Sequence, residues 1–116
     1  MCIRDSIYIT KIKKINDMWR GWFIGDFEPS VLKTNEFEVG VLTHKKGEKW
    51  PKHYHNIATE YNVLVSGSMT ICGKLIEPGD IFVLEPKEVA DPIFHEDCKI
   101  VCVKKPSIIG DKFEVL

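Results

Sequence analysis

Segments rich in β-branched and aromatic residues alternate along the chain with short turn signals, and polar and apolar positions tend to alternate within them. This pattern predicts strands over Ile7–Ile12, Trp22–Phe27, Phe37–His44, Lys52–His55, Glu60–Ser66, Met69–Cys72, Asp80–Leu84, Cys98–Lys104 and Ile108–Phe113, with one helical turn over Asn16–Arg20. Ser66-Gly67-Ser68, Cys72-Gly73-Lys74 and Glu77-Pro78-Gly79-Asp80 read as turns, the last with Pro and Gly where a type II reversal needs them. No segment reads as a long helix. The middle third is therefore a run of tight hairpins, and the chain as a whole reads as an all-β sandwich or barrel.

The same parity selects candidate chemistry. In an extended strand His53 and His55 project to one side while Tyr54 turns away. After a short connection, Glu60 opens a strand in which Tyr61, Val63 and Val65 share one face, and Asn62 and Leu64 share the face of Glu60. A carboxylate arriving from a second strand can then meet two imidazoles. That is the 2-His-1-carboxylate set favoured by Fe(II) and compatible with Mn, Zn or Ni. Gly47 and Gly67 fall where the chain must reverse. Asn62 is a candidate pocket residue that orients the charged groups, and Tyr54 joins Trp50, Trp22 and Trp19 as a candidate aromatic wall, with core packing as the commoner role. His44 and His95 read as surface or core histidines.

The stretch GEKWPKHYHNIATEYNVLVSG, with Gly47, His53, His55, Glu60 and Gly67 at these intervals, resembles the first signature motif of the cupin superfamily at every named position. The second motif is weaker. It begins well at Gly79 and Asp80, but the family's proline and glycine positions hold Glu85 and Lys87. The position of its histidine, eleven residues after Gly79, is Ala90. One extra residue in that turn would bring Asp91 there as a fourth metal ligand. The resemblance spans roughly Trp22 to Phe113. It implies a cupin-type double-stranded β-helix, a jelly-roll-like β-barrel of two antiparallel sheets, holding a divalent transition metal (Fe, Mn, Zn or Ni) inside its mouth. It further implies dioxygenase- or isomerase-type chemistry on a small polar metabolite, or alternatively a non-catalytic module that binds or senses a metal or a small sugar-like ligand. A homodimer formed through the amino-terminal strands is part of the same expectation.

Composition narrows the partners. At 116 residues the chain is expected to form one domain over 7–116, which buries about two thirds of its unfolded surface. A net charge of -1 gives no electrostatic reason to expect nucleic acid or an anionic membrane. Lysines gather at Lys11, Lys13 and Lys14 and at Lys45, Lys46, Lys49 and Lys52; these read as solvated surface, the second group flanking the histidine motif. With no 18-residue apolar run and no signal-peptide pattern, the expectation is a soluble cytoplasmic protein. The first six residues, MCIRDS, read like one frame of a sequencing-library adapter carried into a metagenomic assembly, and are set aside. Cys72, Cys98 and Cys102 then read as reduced, buried, small apolar residues.

Overall fold

The computed structural model describes residues 10–115. The adapter-like segment 1–6 and the start of the strand expected from Ile7 lie outside the described residues, and positions 10–12 are not in a strand. A single 3-10 turn, Ile15–Asp17, precedes β1 (Trp22–Gly25), β2 (Leu32–Lys33), β3 (Glu38–His44), β4 (His53–His55), β5 (Thr59–Ser66) and β6 (Met69–Ile71). After these come β7 (Lys74–Ile76), β8 (Ile81–Leu84), β9 (Pro92–Phe94), β10 (Cys98–Lys105) and β11 (Lys112–Glu114).

The strands form a six-stranded sheet in the order β2-β1-β3-β10-β5-β8, a pair β11-β4, and a three-stranded sheet β7-β6-β9. All pairings except β1 with β2 are antiparallel. Register in the large sheet is what builds the interior. Glu38 of β3 and Glu60 of β5 both lie opposite Lys104 of β10, Gly40 and Asn62 lie opposite Cys102, and Leu42 and Leu64 lie opposite Ile100. Because side chains alternate across a strand, these three rows share one face. That face is apolar at one end and charged at the other. At the apolar end Leu64 and Ile100 pack with Met69, Ile71, Leu84, Ala90 and Phe94 into one buried cluster. The charged end opens into the cavity described below.

Three strands are additions to the sequence pattern. β7 exists because Cys72 and Gly73, at φ 51 and 77, make a two-residue reversal that pairs Met69 with Ile76 and Ile71 with Lys74. β9 opens on Pro92, a residue that argues against a strand interior yet is tolerated at a first position. β2 is only two residues long and hydrogen-bonds to β1. At the carboxyl end the expected strand Ile108–Phe113 becomes Lys112–Glu114, because a turn with Gly110 at φ 81 occupies the preceding residues. Cys98 and Cys102 are buried as expected, whereas Cys72 is exposed on its hairpin turn. No helix among the described residues is long and apolar enough to cross a membrane.

Candidate functional site

A cavity of about 640 Å³ lies between the inner face of the six-stranded sheet and the strands β4, β11, β6 and β9. His53, His55, Glu60 and Asn62 all line it, and so do Trp50, Trp22 and Trp19. The two histidines come from β4, with ring centroids 5.8 Å apart, and Glu60 comes from β5. Strand parity thus assembles all three side chains from two elements. Tyr54 faces the other way and stacks on Phe113, with centroids 5.5 Å apart.

Each ring is oriented by a backbone carbonyl. His53 Nδ1 lies 3.1 Å from the Pro51 oxygen, and His55 Nδ1 lies 3.2 Å from that of Asp111. A carbonyl accepts only from an N–H, so in each ring Nδ1 carries hydrogen and Nε2 is the atom left for chemistry. His55 Nε2 sits 2.9 Å from Glu60 Oε2. A proton on Nε2, or a cation shared by the two atoms, is what makes so close an approach favourable. Asn62 Nδ2 donates to the other oxygen, Oε1, at 3.2 Å.

Burial by itself would raise the pKa of Glu60. The hydrogen bond from His55 and the charge of Lys104 outweigh it and hold the carboxyl down at about 2. Glu38 shows the opposite balance, since burial raises its pKa more than the Lys104 ammonium, 3.4 Å away, lowers it. Desolvation pushes His53 down, which favours the neutral ring that a metal requires.

Asp111 was missed by the sequence pattern because it acts through turn geometry. Its carboxylate accepts from the amides of Asn56, Ile57 and Ala58, so it fixes the loop between β4 and β5 while its own carbonyl holds His55. His44 and Glu48 also line the cavity, joined at 2.7 Å. The signal available for them was a His and a Glu four residues apart across a turn, and that spacing is common on surfaces.

The position eleven residues after Gly79 does face the site. Ala90 is buried, lines the cavity and bridges to His53 through both backbone hydrogen bonds. Asp91 stands apart, with its side chain 45% exposed and 4.0 Å from Lys52. No three His, Cys, Asp or Glu side chains among the described residues already stand as a metal sphere, and His55 and Glu60 close onto each other instead. In donor chemistry, two oriented imidazoles and an ionised carboxylate nonetheless fit a divalent transition ion.

No family model matches the chain, and no curated protein does. Among solved structures it is similar to an uncharacterized conserved protein with a double-stranded beta-helix domain from Klebsiella pneumoniae. That match has TM-score 0.66 and 20% identity, over 97% of this chain and 98% of the other. The DMSP lyase DddQ from Ruegeria pomeroyi gives TM-score 0.66 and 14% identity over 79% of this chain and 48% of that one. The bacterial pirin YhhW from Escherichia coli, in complex with nickel(II), gives 0.63 and 15% over 78% and 41%. The chain thus spans about half of the lyase and two fifths of the pirin. At these identities the likeness is one of fold.

Proposed function

For a chain with the double-stranded β-helix fold of the cupins, we propose binding of one divalent transition metal by His53, His55 and Glu60, and action on a small polar molecule held in the adjoining cavity. The observation that carries this reading is the facing of His55 Nε2 and Glu60 Oε2 at 2.9 Å. A metal ion would take both of these atoms as ligands, and the carbonyls behind the rings keep both Nδ1 atoms out of competition for it.

A bound ion would supply Lewis acidity toward a substrate oxygen. The chain's own residues do the rest. Glu60 stays ionised at neutral pH, Asn62 fixes its plane, and Lys104 stands opposite it across the strand pair to balance its charge. The cavity, walled by Trp22, Trp50 and Phe82, admits a metabolite-sized ligand and excludes larger ones.

A second reading is a non-catalytic module that binds or senses a metal or a small sugar-like ligand. Ala90 supports it, because the family's fourth donor is a methyl group here. Homodimer formation belongs to the same proposal. The outer face of β5 and β8 exposes Tyr61, Val65, Ile81 and Val83, an apolar strip of the kind a second copy covers.

The test is elemental analysis of protein purified without chelator, followed by calorimetric titration with Fe(II), Mn(II), Zn(II) and Ni(II). One ion per chain, lost in His53→Ala and His55→Ala, is expected. No retained ion and no binding of any of the four would sink the metal reading.

A further inference from the structure

The geometry points to a proton-transfer site in the same cavity, across Trp50 from the histidine pair: His44, held by Glu48, is a general base toward the C–H beside the carbonyl of a small 2-oxo or hydroxy-carbonyl compound, and Lys112 faces the oxygen that becomes negative. This site goes beyond the metal reading and does not require it.

Glu48 is anchored through both oxygens. Oε2 lies 2.7 Å from His44 Nδ1 and accepts from Trp50 Nε1, while Oε1 accepts from the Lys45 amide at 3.1 Å. Burial would raise its pKa, but these hydrogen bonds outweigh it and keep the carboxyl below its usual range. An ionised carboxylate at Nδ1 holds the proton there and leaves the Nε2 lone pair as the basic atom. No hydrogen bond among the described residues takes up Nε2 of His44.

The imidazole is packed on two sides. It stacks on Phe94 with centroids 4.4 Å apart, meets Trp50 edge-on at 5.5 Å, and leaves 14% of its side chain exposed. A turn closed by Glu48 onto Lys45 needs no histidine, and a core position needs no carboxylate behind its ring. The pairing is instead the arrangement of a base and its orienting acid.

Lys112, also on the cavity lining, places Nζ 4.2 Å from the centroid of the same Trp50 ring. Base and cation therefore share one indole as a common wall. In the step, His44 Nε2 takes the proton from carbon, the C–H pair becomes the C–C π bond, and the carbonyl π pair moves onto oxygen beside the Lys112 ammonium. The imidazolium exchanges its N–H with solvent and returns a proton to the same carbon as the oxygen pair re-forms the carbonyl, so no oxidant or reductant is consumed.

Deuterium uptake tests this without knowledge of the natural substrate. The full chain is incubated in D₂O with 2-oxobutyrate and with dihydroxyacetone, and loss of the C–H signal is followed by proton NMR. The expected result is exchange at least tenfold above buffer on one probe, persisting after chelator treatment. It should be abolished in His44→Gln and reduced tenfold or more in Glu48→Gln. Lys112→Met, which keeps the backbone pairing with His55 and is checked for folding by circular dichroism, should slow it at least fivefold. Exchange no faster than buffer on both probes overturns the proposal, and so does wild-type exchange in folded His44→Gln or in Lys112→Met. Exchange that vanishes with chelator but survives in His44→Gln belongs to the His53, His55 and Glu60 site, and overturns it equally.

Discussion

His53 and Ala90 exchange both of their backbone hydrogen bonds, at 3.2 and 2.7 Å, which sets the Ala90 methyl group on the cavity wall beside the histidine pair. The next residue therefore points the other way. Asp91→Ala is expected to leave metal affinity within about twofold, whereas His53→Ala lowers it a hundredfold or more; calorimetric titration with Zn(II) decides. Equal losses in the two variants would show that Asp91 turns inward when the ion binds.

Glu60 gives metal-free protein a distinct acid sensitivity. Its folded pKa, about 2, lies below the unfolded value of 4.5, so the group stabilises the fold fully above about pH 5. That contribution, on the order of 3 kcal/mol, is lost as pH falls toward 2. The stability difference between wild type and Glu60→Gln in urea titrations should narrow steadily from pH 6 to pH 3; parallel curves would refute the coupling.

Lys104 stands between a buried and a half-buried carboxylate, 3.4 Å from Glu38 and opposite Glu60 on the neighbouring strand. Removing it strands both charges. Lys104→Met is expected to cost about 3 kcal/mol in chemical denaturation, against less than about 0.5 kcal/mol for the exposed Lys105→Met.

Asp111→Ala removes the acceptor of the Asn56, Ile57 and Ala58 amides. Leaving these amides unpaired should destabilise the fold by about 2 to 3 kcal/mol and weaken metal binding together with it, while Asp111→Asn retains part of both. Stability loss with unchanged metal affinity would separate the loop from the site.

Among Cys72, Cys98 and Cys102, only Cys72 should alkylate rapidly in native protein. Burial raises the thiol pKa of Cys98 and Cys102, whereas Cys72 is exposed. Peptide mass mapping after a brief iodoacetamide pulse reads this directly. Replacing Cys98 and Cys102 together with Ala or Val should spare metal binding at about 1 to 3 kcal/mol of stability.

The sequence by itself determined the parity of His53, His55 and Glu60, the reversal at Gly67 and the strand-and-turn rhythm, because a period of two and the needs of turns are local properties. Gly67 shows how local. It sits at φ 98, and a Cβ there would stand 2.3 Å from the Asp97 carbonyl oxygen. Only the tertiary structure decided which polar residues share the cavity with the motif. Glu38 and Lys104 meet Glu60 through the registers of β3, β10 and β5, pairings separated by some forty residues or more for which no local pattern exists. Asp111 reaches its amides across 53 to 55 positions, and the turn after β3 brings Glu48 back to His44 so that both line the cavity with Trp50. The single step between Ala90 and Asp91 was settled in the same way. A backbone ladder to His53 fixes which of two neighbours faces inward, and such a ladder is written in register and not in residue type.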